Sequence, residues 1–281
     1  MAPTEADGIE WRLLPERAES GALNMALDLV AGETAARSGL ATVRVYRWTP
    51  STLSIGYAQS ADSIDWETCR RAGIDVVRRP TGGGAILHDA EGDISYSIAV
   101  PASAVPGETT AAYRHLCDPI FSALEAIDVP ARFATEHREP AHRPACYLRA
   151  VDPAHDIVVP SDGVERKISG NAQYRRRDAV IQHGSISYAH RPDRHLAVFA
   201  EDDLSVETFR HRTTDIRSEA DIRRATVVSE LESRLAAWAG ANPGTWTAEE
   251  RERAAVLAES VFGTEAWTRY RRDPTGEVRS A

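Results

Sequence analysis

Glu165–Ile186 reads E-R-K-I-S-G-N-A-Q-Y-R-R-R-D-A-V-I-Q-H-G-S-I, and its Lys167 is the only lysine among the 281 residues of the chain. Arginine is a planar, permanently charged fork, whereas lysine is a compact ammonium on a thin stem that enters narrower sites. Taken alone the lysine also reads as an ordinary surface residue, because lysines are mostly exposed. Its surroundings decide between the two. RKISGNAQ and AVIQHGSISY read as two strands, with Arg175, Arg176 and Arg177 in a solvated turn between them. HDIVV, just upstream, reads as a third.

Moving outward towards the N-terminus, Glu16–Gly39 reads as a first helix. Ala22, Met25, Ala26, Leu29 and Val30 follow three-and-four spacing, and Gly39 ends it. TVRVYRWTPSTLSIGYAQ gives two strands with Pro50 and Ser51 in the turn. Asp65–Ala72 is a short helix, capped by Asp62 or Ser63. IDVVRRPTGGGAILHD is strand, glycine turn, strand, and EGDISYSIAVP is a further strand. Thr109–Ile127 is an amphipathic helix in which Asp118-Pro119 predicts a kink or break. Residues 130–150 are loop-like. Towards the C-terminus, Ala220–Trp238 and Ala248–Val261 read as helices on either side of the Asn242-Pro243-Gly244 break. The order predicts an α+β fold, a mixed β-sheet with flanking helices, ending in a short helical C-terminal tail. The division expected is a catalytic domain over 1–215 and a helical extension over 216–281.

Composition bounds the function. A hydrophobic fraction of 42% and a charged fraction of 27% are those of a globular domain with an ample core. The net charge of −9 argues against nucleic acid as a partner. No run is long and apolar enough for a membrane helix, and MAPTEADGIEW is not a secretory leader, so a cytoplasmic location with no membrane partner is expected. Cys69, Cys117 and Cys146 form neither a disulfide framework nor a CxxC site. No metal-ligand cluster is expected.

The densest local signal is Arg78-Arg79-Pro80-Thr81-Gly82-Gly83-Gly84-Ala85-Ile86-Leu87-His88-Asp89. Three glycines let the backbone approach a ligand and present successive N–H groups to an anion. The arginines can pair a carboxylate or phosphate. No Gly-Lys-Ser/Thr follows and a strand comes next, so this is neither a Walker A loop nor a dinucleotide fingerprint. An ordinary tight hairpin is the alternative for the turn on its own.

RRPTGGGAILHD followed by RKISGNAQYRRRDAVIQHGSI resembles the two signature segments of the lipoate–protein ligase A family, within the biotin/lipoate ligase and octanoyltransferase superfamily. Asn24-Met25-Ala26-Leu27-Asp28 and VYRWTPSTLSIGYAQ extend the resemblance to roughly the first 200 residues. A biotin ligase is a weaker match, because its GRGR-type loop is not what stands at 78–84. The resemblance implies attachment of a lipoyl or octanoyl group to one lysine of a lipoyl domain, in a 2-oxoacid dehydrogenase E2 or a glycine cleavage H protein. In the ligases, lipoate and ATP give lipoyl-AMP first. The resemblance then places Arg79, Thr81 and the Gly82, Gly83 and Gly84 amides at the acyl carboxylate and phosphate. Lys167 would touch both anions, flanked by Ser169, Gly170, Asn171 and Ala172. Asp89 and Asn171 would complete a polar lining, through Mg²⁺ in the ligase reading. Ile55, Val77 and Ile86 would form the apolar slot. His88 and His183, beside Gly184, are expected to hold the loop by hydrogen bonds, with lining of the acyl pocket as a second role for His183.

Pro144-Ala145-Cys146-Tyr147 departs from the ligase pattern. It resembles the position of the nucleophilic cysteine in one class of octanoyltransferases, which take octanoyl from acyl carrier protein through a thioester and use no ATP. GNAQ…QHGSI also resembles theirs, while GGG is the ligase form. Three functions are therefore carried forward: an ATP-dependent ligase first, a Cys146-dependent transferase second, and a non-catalytic lipoyl-binding subunit third. Cys69 and Cys117, on amphipathic helices, are expected to be packing residues.

Overall fold

The computed structural model describes residues 9–161, 163–201 and 205–278. The chain opens with β1 (Trp11–Glu19), α1 (Gly21–Ser38), β2 (Ala41–Trp48), β3 (Thr52–Ile55), α2 (Trp66–Arg71) and β4 (Asp75–Arg78). It continues through β5 (Ile86–His88), β6 (Asp93–Pro101), α3 (Thr109–Glu125) and β7 (Arg132–Phe133). β8 (Ile157–Ser161), β9 (Val164–Arg175) and β10 (Ala179–Ser187) follow, then three short helices, α4 (Pro192–Leu196), α5 (Val206–Arg212) and α6 (Ile216–Glu219). α7 (Arg224–Ala239), β11 (Asn242–Pro243), α8 (Ala248–Leu257), a π turn over Ala258–Phe262 and α9 (Glu265–Thr268) complete the described chain.

Eight strands form one mixed sheet in the order β11-β1-β2-β6-β10-β9-β8-β7, and β4-β3-β5 form a second, smaller one. The fold is the expected mixed sheet with flanking helices. Alternation along the central strands separates two faces. Val43, Val45, Ile94, Tyr96, Ile98 and Val180 point to the side covered by α3 and α7. Tyr46, Trp48, Ala99 and Ile181 point to the side covered by α1, where Arg44, Asp93, Ser95, Ser97, His183 and Ser185 are also buried. One face of the large sheet is thus a hydrophobic core, and the other carries a buried polar stratum.

α1 is buried around most of its circumference because it is sandwiched. It packs on β2, β6 and β10 inward and against α8 and the π turn outward. Ser20 caps its N-terminus through Leu23 N, and Gly39 ends it at φ 76°, the left-handed conformation that favours glycine. The expected start at Glu16 is corrected. Trp11–Glu19 is a strand parallel to β2, with an irregularity between Leu14 and Arg17 around Pro15. Pro119 neither ends nor interrupts α3, which runs from Thr109 to Glu125 with Pro119 buried inside it. The glycine turn is not a hairpin either: β4 and β5 flank β3, parallel and antiparallel to it, so the turn crosses the end of the small sheet. Among the described residues no helix is long and apolar enough to cross a membrane.

Candidate active site

The loop around Cys146 is stitched to the start of β5. Ala85 N donates to Pro144 O and Cys146 N to Ala85 O, both at 2.7 Å, and Cys146 begins a 3-10 turn to Leu148. Behind it the buried Tyr147 hydroxyl accepts from Ser187 Oγ at 2.6 Å. The half-buried thiol faces β9. Lys167 Nζ lies 4.0 Å from Cys146 Sγ and 3.3 Å from the Cys146 carbonyl, and it forms an ion pair with Asp156 Oδ1 at 2.7 Å. Lys167 and Asp156 are both buried. Burial disfavours the ammonium, but the Asp156 carboxylate and then the Cys146 sulfur more than offset it, so the lysine titrates above its ordinary range. Gly170 allows this approach: a β-carbon there would sit 3.1 Å from Cys146 Sγ.

Opposite stands the glycine loop, braced from within by Arg79. Its guanidinium donates to Ser54 O and Oγ and to the Gly82 and Gly84 carbonyls at 2.7–3.0 Å, with Nε 3.4 Å from Thr81 Oγ1. Gly83 takes φ 97°, and its carbonyl lies so near Gly56 that a β-carbon on Gly56 would stand 2.0 Å away. Two histidine relays hold the loop's flanks. His183 bridges Thr81 Oγ1 (2.8 Å) and Asp28 Oδ2 (3.3 Å). His88 bridges Ser54 Oγ (2.8 Å) and Asp93 Oδ2 (3.1 Å), and its ring stacks on Trp48 at 4.1 Å. Burial pushes the Asp28 carboxyl up, but His183 and Arg44 together hold it below the usual range. Burial lowers His88, which favours the neutral ring.

Between loop and sheet opens a cavity whose mouth is open to solvent. Arg79, Gly82, Gly83, His88, Cys146, Gly170, Asn171, Ala172, His183 and Gly184 line it, together with Ile86. Asn171 is fixed by Tyr96 Oη (2.5 Å) and by its own bond to His155 O (2.9 Å). Thr81 and Gly84 stand just behind this wall, Thr81 through its bond to His183, and Gly84 packed against Pro144 O. Ser169 is fully buried, and its Oγ has no partner among the described residues.

Asp89 lies elsewhere. Its carboxylate pairs with Arg194 and accepts from Glu91 N and Gly92 N, so it caps a turn away from the cavity. Ile55 and Val77 are buried in cores rather than in the cavity wall. Met25, Tyr46 and Trp48 supply the apolar wall instead. Asp156, on Lys167, and Asp93, on His88, join the site without any sequence motif that marks them. Their signal was available only as polar residues bordering strands. Cys69 and Cys117 are buried in packing positions, and burial pushes their thiols up to about 11 and about 12.

This sheet, with one buried lysine beside a glycine loop, is that of the lipoate ligase and octanoyltransferase class of enzymes. The lipoyl protein ligase A/B catalytic domain family matches residues 20–237, and the chain belongs to that family. It is 36% identical over 279 residues to the octanoyltransferase LipM of Kyrpidia tusciae, covering 93% of this chain and 99% of that protein. It is 31% identical to the LipM octanoyltransferase of Geobacillus kaustophilus, covering 92% and 97%. In structure it resembles a bi-partite lipoate protein ligase from Thermoplasma acidophilum, at a TM-score of 0.77, 23% identity and coverage of 93% and 96%.

Proposed function

We propose that this chain transfers an octanoyl group from the thioester of acyl carrier protein to one lysine of a lipoyl domain, through a thioester on Cys146 and without ATP. The observation that carries the reading is Cys146 Sγ at the cavity wall, 4.0 Å from Lys167 Nζ. Relatives that match nearly the whole chain and are named octanoyltransferases support it over the ATP-dependent ligase.

The chemistry balances without a nucleotide. Cys146 sulfur attacks the acyl carbon, the carrier sulfur leaves and takes the thiol proton, and the acyl group rests on Cys146. The acceptor amine then attacks, its proton returns to the Cys146 sulfur, and an amide remains. The ammonium of Lys167, 4.0 Å from the Cys146 sulfur, offsets the negative charge that gathers around the reacting centre in both halves. In this reading Gly82 and Gly83, at the cavity wall, supply the backbone N–H groups that meet the acyl oxygen as it gathers charge. The apolar wall of Met25, Tyr46, Trp48 and Ile86 takes the chain. The acceptor is a lipoyl domain of a dehydrogenase E2 or a glycine cleavage H protein.

The residues offered for ATP and Mg²⁺ do not fit those groups well. The Arg79 donors are spent on protein oxygens and the Asp89 carboxylate on Arg194. Among the described residues no group of three or more His, Cys, Asp or Glu is placed to hold a metal ion.

Incubation with octanoyl-acyl carrier protein, followed by intact mass, tests the reading. One octanoyl adduct, lost in Cys146→Ser, is expected, and an apo lipoyl domain then discharges it. Modification of the lipoyl domain only with free acid and ATP would return the function to the ligase. Acyl binding with no modification in either assay would leave a non-catalytic subunit.

A further inference from the structure

Asp156 has no part in the steps above, yet it makes the shortest contact of the lysine they depend on. Its Oδ1 takes Lys167 Nζ at 2.7 Å, and its Oδ2 accepts from Asp152 N at 2.9 Å. The backbone is pinned on both sides: Ala134 N donates to Asp156 O, and Asn171 Nδ2 to His155 O. The carboxylate is therefore set from the loop before β8, against the ammonium. The three Nζ hydrogens have three acceptors in reach: Asp156 Oδ1, the Cys146 carbonyl and the Cys146 sulfur.

We infer that Asp156 is a positioning residue for acyl transfer, holding Lys167 as a fixed ammonium beside the Cys146 sulfur, so that the lysine is the thiolate's counter-ion and not its proton acceptor. The inference rests on the acyl-transfer reading. Its physical basis is the ion pair. A neutral amine at Lys167 would leave the Asp156 carboxylate buried without a countercharge, a state proteins avoid. Other charged groups face the pair without changing its sense. His155 Nε2 is 4.0 Å from Asp156 Oδ1, the Arg149 stem lies against Gly84, and Arg79 lies across the cavity. In each half-reaction the proton passes between Cys146 sulfur and the carrier sulfur or the acceptor amine, and Lys167 keeps all three of its own.

A chain with one lysine allows a direct test. Protein grown on ¹³Cε-lysine gives one side-chain resonance, whose shift reports the charge on Lys167 during a pH titration. In the wild type that resonance is expected to stay in the ammonium position from about pH 6 to 10. Asp156→Asn is expected to lower its midpoint by about 1–3 pH units and to slow thioester formation with little change in KM for the carrier, and Asp156→Glu to restore much of the rate. A wild-type midpoint at or below about pH 8, where a lysine serves as a base, would overturn the inference. So would an Asp156→Asn protein with the wild-type titration. The wild-type titration decides even where Asp156→Asn does not fold. Absence of any Cys146 thioester strikes at the transfer reading, whereas a lysine neutral near pH 8 strikes at the role of Asp156 even where the thioester forms.

Discussion

Arg78 and Trp267 hydrogen-bond each other in both directions. The Arg78 Nε donates to the Trp267 carbonyl at 3.3 Å, and the Trp267 indole donates to the Arg78 carbonyl at 2.8 Å. The same guanidinium reaches the carbonyls of Gly56, Tyr57 and Gln59. Gly56 in turn lies against the Gly83 carbonyl. One arginine thus fastens the last described helix to the turn that supports the glycine loop.

Trp267→Ala removes a fully buried indole from that junction. We expect it to destabilise the chain by about 3–5 kcal/mol, seen as a lower urea midpoint. Trp267→Phe keeps most of the packing and loses only the donor to Arg78 O, so a cost of about 1 kcal/mol is expected. An unchanged midpoint for the alanine variant would mean that α9 does not hold the loop's support.

Two glycines separate a local effect on the thiol from a global one. A methyl at Gly170 would meet Cys146 Sγ at 3.1 Å, where a shift of a few tenths of an ångström suffices. Gly170→Ala should keep its thermal midpoint and lose thioester formation. A methyl at Gly184 would stand 2.3 Å from Asn171 Oδ1 and 2.5 Å from the Tyr96 ring. Gly184→Ala should cost about 1–3 kcal/mol of stability. Thermal melts and the intact-mass assay, run on both variants, check the contrast; the reverse pattern would refute it.

Local chemistry explains what the sequence made legible. Lys167, the glycine triplet, His183 and Cys146 could be picked out because each is an unusual residue in an informative frame; the structure sets Gly82, Gly83, His183 and Cys146 at one cavity, with Gly84 just behind it and Lys167 against Cys146. The three consecutive strands from HDIVV to AVIQHGSISY carry their own alternation, and they pair antiparallel as neighbours, with one irregularity at Ile157/Val158. Trp11–Glu19 was missed because Pro15 and two glutamates break its alternation, and a parallel partner 30 residues on supplies its pairing. Asp156 was missed because a carboxylate beside a strand says nothing until the strand partner carrying the lysine is known. Asp89 was misplaced for the converse reason. Its motif position is beside the loop, but Arg194, more than 100 residues away, draws its side chain elsewhere. Cavity walls made by residues on a helix and a distant strand, such as Met25 and Trp48, have no local signal at all.

Acid should weaken the junction between β1 and α8. Glu250 accepts from both Arg12 terminal nitrogens and from Thr34 Oγ1, and it completes the capping box with Thr247. Burial pushes its carboxyl up, but the Arg12, Thr247 and Thr34 hydrogen bonds outweigh that and bring it from 4.5 to about 2. The folded value lies below the unfolded one, so this stabilisation is complete above about pH 4.5 and is lost as the pH falls towards about 2. Circular dichroism across that window should show a loss of stability in the wild type that is shallower in Glu250→Gln. Equal slopes would remove Glu250 from the acid transition.

Lys167→Arg tests why one lysine persists in a chain otherwise served by arginine. Charge is conserved, so a purely electrostatic need would be met. The space is not: the Lys167 Cε lies only 3.5 Å from where a β-carbon on Gly170 would stand, and the head group is enclosed by Asp156 and Cys146. A guanidinium is wider than an ammonium, and its fork must displace either the thiol or the carboxylate. We expect Lys167→Arg to fold with a loss of about 1–3 kcal/mol from overpacking. Thioester formation should fall by about 100-fold or more, as for loss of a positioned electrostatic group. Lys167→Met removes the charge and leaves Asp156 buried without a partner, so its stability loss should be larger, about 3–5 kcal/mol. If arginine supports wild-type transfer, the site needs only a positive charge, and the narrowness imposed by Gly170, Cys146 and Asp156 has no catalytic consequence.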